Sequence, residues 1–346
     1  MNKTITLVVL LLALAIENTT AAAATIPTLI ESFPAPGSAS QLAYSQSYGL
    51  LFLRNSGSAI RVVDTVTRNE IDLRLANQQF TDMDLDPTGQ YLFAADWGKV
   101  TIGYGGLVNP HYVHRYNLAL RQWEMKRSYV DTYKLEAVDP NRVILLESDQ
   151  WVAVNLQNWG SGPDLAHLAS ASADYYGDIE YDPVTGRVYH GNSGSSSAEI
   201  NVVRLVGNSF AYGVGSGTYG TAQTGGGTSV LSLDGKTFYY GALQVEALDV
   251  THNIRKFPQR IYSATKELAF GPSAIYDALS GANLGSFGYS TTVYGLSQTG
   301  SELWTYADGS LYHYGLVPEP SSLFLVIALS FPAFCLRRST GRYGRR

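Results

Sequence analysis

The chain has 346 residues with a net charge of −5; 45% are hydrophobic, 15% charged and 12% aromatic, with 34 Gly, 24 Tyr and a single Cys. The apolar share excludes a disordered chain and Cys335, being alone, excludes a disulfide-stapled fold. Many aromatics and glycines with few charges make a strand-and-turn profile, and an all-β ring could absorb this length as one domain.

The first element is a targeting segment over residues 1–24. Lys3 precedes an apolar run of 12 residues, Ile5 to Ile16, broken only by Thr6, and the segment ends in Ala21, Ala22, Ala23 and Ala24. That order is the charged, apolar and small-residue sequence of a secretory signal peptide, and the run is too short for the roughly 20 residues of a spanning helix. Cleavage is expected after Ala24.

Residues 25–316 read as repeated β units. The stretch Asp82-Met-Asp84-Leu-Asp86-Pro87-Thr88-Gly89, followed by Gln90-Tyr91-Leu92-Phe93, returns at Asp178-Ile-Glu180-Tyr-Asp182-Pro183-Val184-Thr185-Gly186 with Arg187-Val188-Tyr189. A third copy runs from Glu136 through Asp139-Pro140-Asn141 to Leu145, and looser ones start at Leu42, Leu231 and Leu296. Each is a strand ending in a tight turn, where Asp binds its own backbone, Pro fixes φ and Gly accepts positive φ, followed by an apolar returning strand. A period of roughly 40 to 50 residues is the signature of propeller blades. Anchors near residues 45, 86, 139, 182, 234, 270 and 299 give seven blades, with six the alternative because the interval from 270 to 299 is short and the anchor at 270 rests only on Leu268-Ala-Phe-Gly-Pro272. A pair of β-sandwiches is the competing fold. Further strands are expected over 60–67, 152–156, 200–206 and 274–281. Ring closure should pair the segment from Thr28 to Phe33 with the last blade around Trp304 to Tyr314, which removes free sheet edges.

The segment Ala274-Ile-Tyr-Asp277-Ala-Leu-Ser-Gly281 resembles the outer strand of bacterial propellers of the YVTN, WD40-like and quinoprotein-like kind. The implied fold is an all-β propeller.

Candidate chemistry is thin. Asp82, Asp84 and Asp86 alternate along a strand and share a face, as do Asp178, Glu180 and Asp182. Such triplets could hold Ca²⁺, or one Asp could cap the turn while the others face water at a blade edge. His111 and His114 lack further zinc ligands nearby and should point to opposite faces. The Gly-rich stretches 103–106, 213–217 and 225–227 lack the features of a phosphate cradle and read as loops, and no Gly-x-Ser-x-Gly elbow occurs. Most of the tyrosines, and Trp97, Trp123, Trp151, Trp159 and Trp304, are expected in blade packing, with a minority able to stack on sugars. No catalytic residue, metal ligand or cofactor is expected.

At the C-terminus, Val317-Pro318-Glu319-Pro320 leads into an apolar stretch over 323–336, followed by Arg337, Arg338, Arg342, Arg345 and Arg346. The order is that of a stop-transfer segment, with the arginines on the cytoplasmic side. Its 14 residues would span roughly 21 Å of a hydrocarbon core near 30 Å, so a transient anchor is expected. The tail resembles a PEP-CTERM sorting signal of exported proteins from Gram-negative bacteria: Pro318, Glu319 and Pro320 match its tripeptide, and Arg337 and Arg338 its basic end. The resemblance implies an exosortase-like processing enzyme as partner, removal of the tail, and a biofilm or matrix setting. With both end segments set aside, 18 Lys and Arg face 27 Asp and Glu in 25–316, a net charge near −9 that argues against nucleic acid.

The expectation is therefore an exported cell-surface or matrix-associated propeller that binds polysaccharide or protein. The alternative is a propeller hydrolase or lyase with a channel-bound metal.

Overall fold

The structure is a computed structural model that describes residues 26–97, 111–128, 132–146, 150–155, 166–172, 177–192, 197–211, 216–220 and 228–316. The segments 1–24 and 317–346, with Pro318, Glu319, Pro320, Arg337 and Arg338, lie outside the described residues, as do Trp159 and the glycines of 103–106 and 225–227. Among the described residues every regular element is a β-strand, and no helix is long and apolar enough to cross a membrane.

The strands of 28–315 form seven antiparallel sheets in chain order: 41–75, 80–128, 134–172, 177–220, 229–256, 263–285, and 294–315 joined by Thr28–Pro34. Each contains a four-strand path in which successive strands pair, and the fourth sheet carries one strand more, Ser216–Gly220. The last is closed by the other end of the chain: Thr28–Pro34 pairs antiparallel with Ser310–Gly315, from Thr28 opposite Gly315 to Pro34 opposite Ser310, with a register shift between Leu29 and Glu31. That strand therefore covers the edge the final hairpin would leave free, as expected from the sequence.

The turn after the first strand of each sheet follows the chemistry of its sequence. Asp86 accepts the amides of Thr88 (3.0 Å), Gln90 (2.7 Å) and Tyr91 (2.6 Å), while Gly89 sits at φ +69° and donates back to the Asp86 carbonyl. Asp182 caps its turn by accepting the Val184 amide (2.9 Å) and the Thr185 hydroxyl (2.5 Å), and Asp139 by accepting the Asn141 amide (2.8 Å). In the sixth sheet the corresponding turn is Thr265-Lys266-Glu267, where Thr265 Oγ1 accepts the amides of Glu267 and Leu268. The anchor expected near 270 is thus the second strand of its sheet, Leu268–Phe270, not the turn. Likewise Ile275–Asp277, expected as an outer strand, is third of four, with Asp277 capping the next turn through Ser280.

Apolar side chains pack between successive sheets rather than in one central mass. Leu50, Phe52, Ile60, Phe80, Met83 and Leu92 join the first sheet to the second; Phe93, Val113, Leu135 and Val143 join the second to the third. Equivalent layers follow through the sixth sheet and between the seventh and first. The sixth sheet has strands of only two or three residues. Beside it, the segment between its last strand and the seventh sheet supplies Phe287 and Tyr289, whose rings lie 5.0 Å from Tyr314 and 4.4 Å from Tyr312. This arrangement, with each sheet packed on the next and the last on the first, is a β-propeller.

Candidate functional site

The first strands of all seven sheets line one cavity of about 490 Å³. A strand on the inner edge of its sheet has unpaired N–H and C=O groups, which need partners when buried. In the third to fifth sheets those partners are carboxylates of the preceding sheet. Asp82 Oδ2 accepts the Leu135 amide at 3.1 Å and Asp84 Oδ2 the Ala137 amide at 2.9 Å. Glu136 Oε2 accepts from Tyr181 at 3.3 Å, and Asp178 Oδ2 from Ser229 at 3.4 Å. The Leu231 amide donates to Glu180. Each sheet thus hands a carboxyl to the backbone of the next. Gln41 does the same from the first sheet with a neutral amide, donating to the Met83 carbonyl (2.8 Å) and accepting its N–H (3.2 Å).

Five carboxyls, Asp82, Asp84, Glu136, Asp178 and Glu180, face two cations, Lys134 and Arg54. Lys134 Nζ lies 2.9 Å from Asp178 Oδ1 and 4.0 Å from Asp82 Oδ2. Burial pushes its ammonium down, but Asp178 and Asp82 together outweigh this and hold it above the ordinary lysine value. Arg54 donates from Nε to Gln41 Oε1 (2.8 Å) and from Nη1 to the Phe80 carbonyl (3.0 Å).

Two positive charges do not balance five carboxylates at this half-buried wall, and burial with mutual repulsion favours keeping protons there instead. Burial, opposed by the Ala137 amide and reinforced by Asp82, pushes the Asp84 carboxyl up to about 7. Burial raises Glu136 well above the usual range, with Asp84 and Glu180 adding repulsion, and raises Glu180 likewise, with Asp178 and Asp84 adding to it. Near neutral pH the cavity wall therefore carries carboxyls that can donate as well as accept hydrogen bonds.

The sequence-predicted triplets divide. Asp86 and Asp182 are turn caps, buried and fully engaged; Asp82, Asp84, Asp178 and Glu180 line the cavity, not the watery blade edge expected for the residues beside the caps. Among the described residues no group of three or more His, Cys, Asp or Glu is placed to hold a metal ion. His111 and His114 are both buried in His111–Asn117 away from the cavity. His114 bonds Asp96 through Nε2 (3.2 Å) and accepts Arg74 Nε at Nδ1 (2.8 Å), while Asp96 accepts the amides of Asn77, Gln78 and Gln79. This joins the outer strand of the first sheet to the second. Trp97, Trp123 and Trp304 pack on Tyr133, Tyr116 and Tyr44 at 5.3, 4.9 and 5.8 Å, as expected of blade packing.

Sequence reasoning missed Lys134, Arg54 and Gln41 as site residues, and quoted Glu136 only as part of a repeat. The available signal was Lys134-Leu-Glu136, an alternating charged pair three and five residues before the turn Asp139.

No family model and no curated protein matches this sequence. Among solved structures the chain is similar to the β-propeller domain of Cps50 (Swd1) from Myceliophteria thermophila, with a TM-score of 0.61 and 13% identity, covering 84% of this chain and 100% of that domain. At this identity the likeness is one of fold. The chain folds as a β-propeller.

Proposed function

We propose that this chain is an exported propeller, held at the cell surface or in the extracellular matrix, that works by binding a ligand at its central cavity. Its seven sheets are taken as seven blades, the short-stranded 263–285 included. The observation that carries the binding half is the cavity: about 490 Å³, inside the roughly 300–1,000 Å³ range of ligand sites, with five carboxyls, Lys134 and Arg54 converging on it. Protonated carboxyls beside Ser229, Ser263 and Tyr262 offer paired donors and acceptors for the hydroxyls of a polysaccharide. A basic side chain of a matrix protein is the other occupant that suits an acidic wall.

The export half rests on the sequence of the two ends: the 1–24 signal segment, Pro318-Glu319-Pro320, the apolar 323–336 and Arg337-Arg338. The implied partners are an exosortase-like processing enzyme and, transiently, the membrane. Cell fractionation of a tagged full-length chain and of a form ending at residue 316 tests it; the shortened form should fail to reach the surface, and identical distributions would refute sorting by the tail. Glycan-array binding by the full chain, weakened at least tenfold by Glu180→Gln, tests the cavity. Binding that is indifferent to this change removes the cavity from the account.

A hydrolase reading draws on Asp84, whose carboxyl near 7 suits a general acid. Turnover of a glycoside or ester panel that disappears in Asp84→Asn would favour it.

A further inference from the structure

The central cavity has two unlike walls. On one, Asp84, Glu136 and Glu180 come from the second, third and fourth sheets, each two residues nearer its turn than Asp82, Lys134 and Asp178 respectively. The rest of the ring contributes apolar side chains, among them Leu42, Leu233, Val293 and Leu296, and Leu233 is left 46% exposed. At the turn end the space narrows. A Cβ added to Gly89 would lie 2.7 Å from Gln298 Nε2, and one added to Gly300 2.9 Å from Leu233 Cδ1, so side chains of the seventh and fifth sheets reach the turns of the second and seventh.

Charge on the carboxyl wall is unevenly compensated. Among the described residues both ion pairs of this wall belong to Lys134, whose ammonium serves Asp178 and Asp82. Asp84, Glu136 and Glu180 take part in no ion pair and bond the backbone amides of Ala137, Tyr181 and Leu231. The other titratable groups lining the cavity are Arg54, Tyr262 and Tyr294; Arg54 is committed to Gln41 and the Phe80 carbonyl, and Tyr294 to the Gly271 carbonyl. The wall thus already seats one primary ammonium at the end of an unbranched aliphatic stem, while three carboxyls beside it lack a cation.

We propose that the cavity takes a linear organic cation, a primary ammonium or guanidinium on an aliphatic stem, with its head on Asp84, Glu136 and Glu180 and its stem along Leu233 and Leu296. Such a ligand presupposes that the cavity is the binding site, as proposed for the function, and narrows its occupant to one chemical class. A neutral polyol leaves the three carboxyls without a counter-charge and the apolar side chains without a partner; a cation with a stem satisfies both. Proton linkage separates the two ligands by sign. Burial above all raises Asp84 to about 7, and raises Glu136 and Glu180 as well, so at pH 5.5 an arriving cation must displace a proton, whereas at pH 8 it meets an ionised Asp84. Affinity for a cation therefore rises with pH, and affinity for a polyol that needs carboxyl donors falls over the same interval.

Ligand-observed NMR titration of the full-length chain with hexylammonium, and with hexanol as its neutral counterpart, tests the assignment. At pH 8 the cation should bind about tenfold more tightly than the alcohol, and about tenfold more tightly than it does itself at pH 5.5. Glu180→Gln should weaken the cation about tenfold and leave hexanol unchanged. Leu233→Ala alters no charge; it should weaken both probes about threefold and keep the pH ratio, which guards against misfolding of the first variant. Acetyl-lysine methylamide binding alongside hexylammonium assigns the head to a partner protein's side chain, and its exclusion while hexylammonium binds assigns a free amine. Equal affinity for alcohol and cation, a cation affinity that falls with pH, or one indifferent to Glu180→Gln overturns the class. Glycan binding that depends on Glu180 would then leave the cavity standing as a ligand site, whereas binding of neither class removes the site together with its ligand.

Discussion

On one side of the cavity Asp82 and Asp84 accept the amides of Leu135 and Ala137, and Glu136 that of Tyr181; on the other side Tyr294 Oη donates to the Gly271 carbonyl at 2.7 Å and Thr228 Oγ1 to that of Ile261 at 3.2 Å. Both sets tie neighbouring sheets together near the ring centre. The carboxylate side does so with groups that carry charge, and two cations leave it short of neutrality, so it stores protons. The neutral side uses hydroxyls and aromatic packing, with Phe270 stacked on Tyr294 at 6.0 Å and Trp304 enclosed by Phe33 and Tyr44. Structural cohesion alone can be had from either chemistry. The acidic side is therefore the half that can respond to a ligand or to pH, and the neutral half is the one that packing sustains.

Removing the largest ring of the neutral half is the severest test. Trp304 is fully buried against Phe33, Tyr44 and His313. Trp304→Ala should cost about 3–5 kcal/mol by denaturant titration, with little dependence on pH. A loss below about 1 kcal/mol would mean that the seam is not held by packing. Next comes Lys134→Met on the acidic half, which leaves Asp178 and Asp82 without their shared cation. We expect a loss of about 2 kcal/mol at pH 8, shrinking at pH 5 as the carboxyls take up protons in its place. An equal loss at both pH values would contradict the picture of a proton-holding arc.

How far these two halves were legible in the sequence differs for a physical reason. The turns were legible because Asp-Pro-x-Gly and its variants carry their own hydrogen-bonding logic, as at Asp86, Asp139 and Asp182. The acidic arc was half legible. Asp84 and Glu180 stand two residues before their turn Asp, and Asp82 and Asp178 four before, but Glu136 and Lys134 stand three and five before Asp139. A register shift between Ala137 and Asp139 restores the phase, so that both side chains reach the cavity. Such a bulge inserts one residue and is invisible to a strict period of two. The neutral half was least legible, since Thr265 replaces the turn Asp and strands of two or three residues cannot show alternation. Its aromatic filling by Phe287 and Tyr289 depends on contacts that only the folded chain creates.

Asp84 gives the cleaner pH test. Its carboxyl is raised from the ordinary 3.8 to about 7, so the folded chain holds a proton that the unfolded chain has released. Its contribution to stability is fully present below about 4 and is lost as pH climbs towards 7. Asp84→Asn retains a carbonyl oxygen for the Ala137 amide but cannot titrate. The melting temperature of the variant, followed from pH 5 to 8, should fall less than that of wild type, the two profiles differing in slope by roughly 2–4 °C over the interval. Parallel profiles would place the stored proton elsewhere in the arc.

The smallest expected effect lies on the neutral side and checks the comparison from its other end. Tyr294→Phe deletes the hydroxyl that donates to the Gly271 carbonyl but leaves the ring on Phe270 and Phe287. The loss should be about 0.5–1.5 kcal/mol, the worth of one hydrogen bond with its acceptor left behind. Burial raises the Tyr294 phenol well above the usual tyrosine value, so the group stays protonated at every pH of interest. The change should accordingly displace the wild-type profile downward by a constant amount between pH 5 and 8. A displacement that grows with pH would show that the two halves of the cavity are electrostatically coupled, and that the division drawn between them is too sharp.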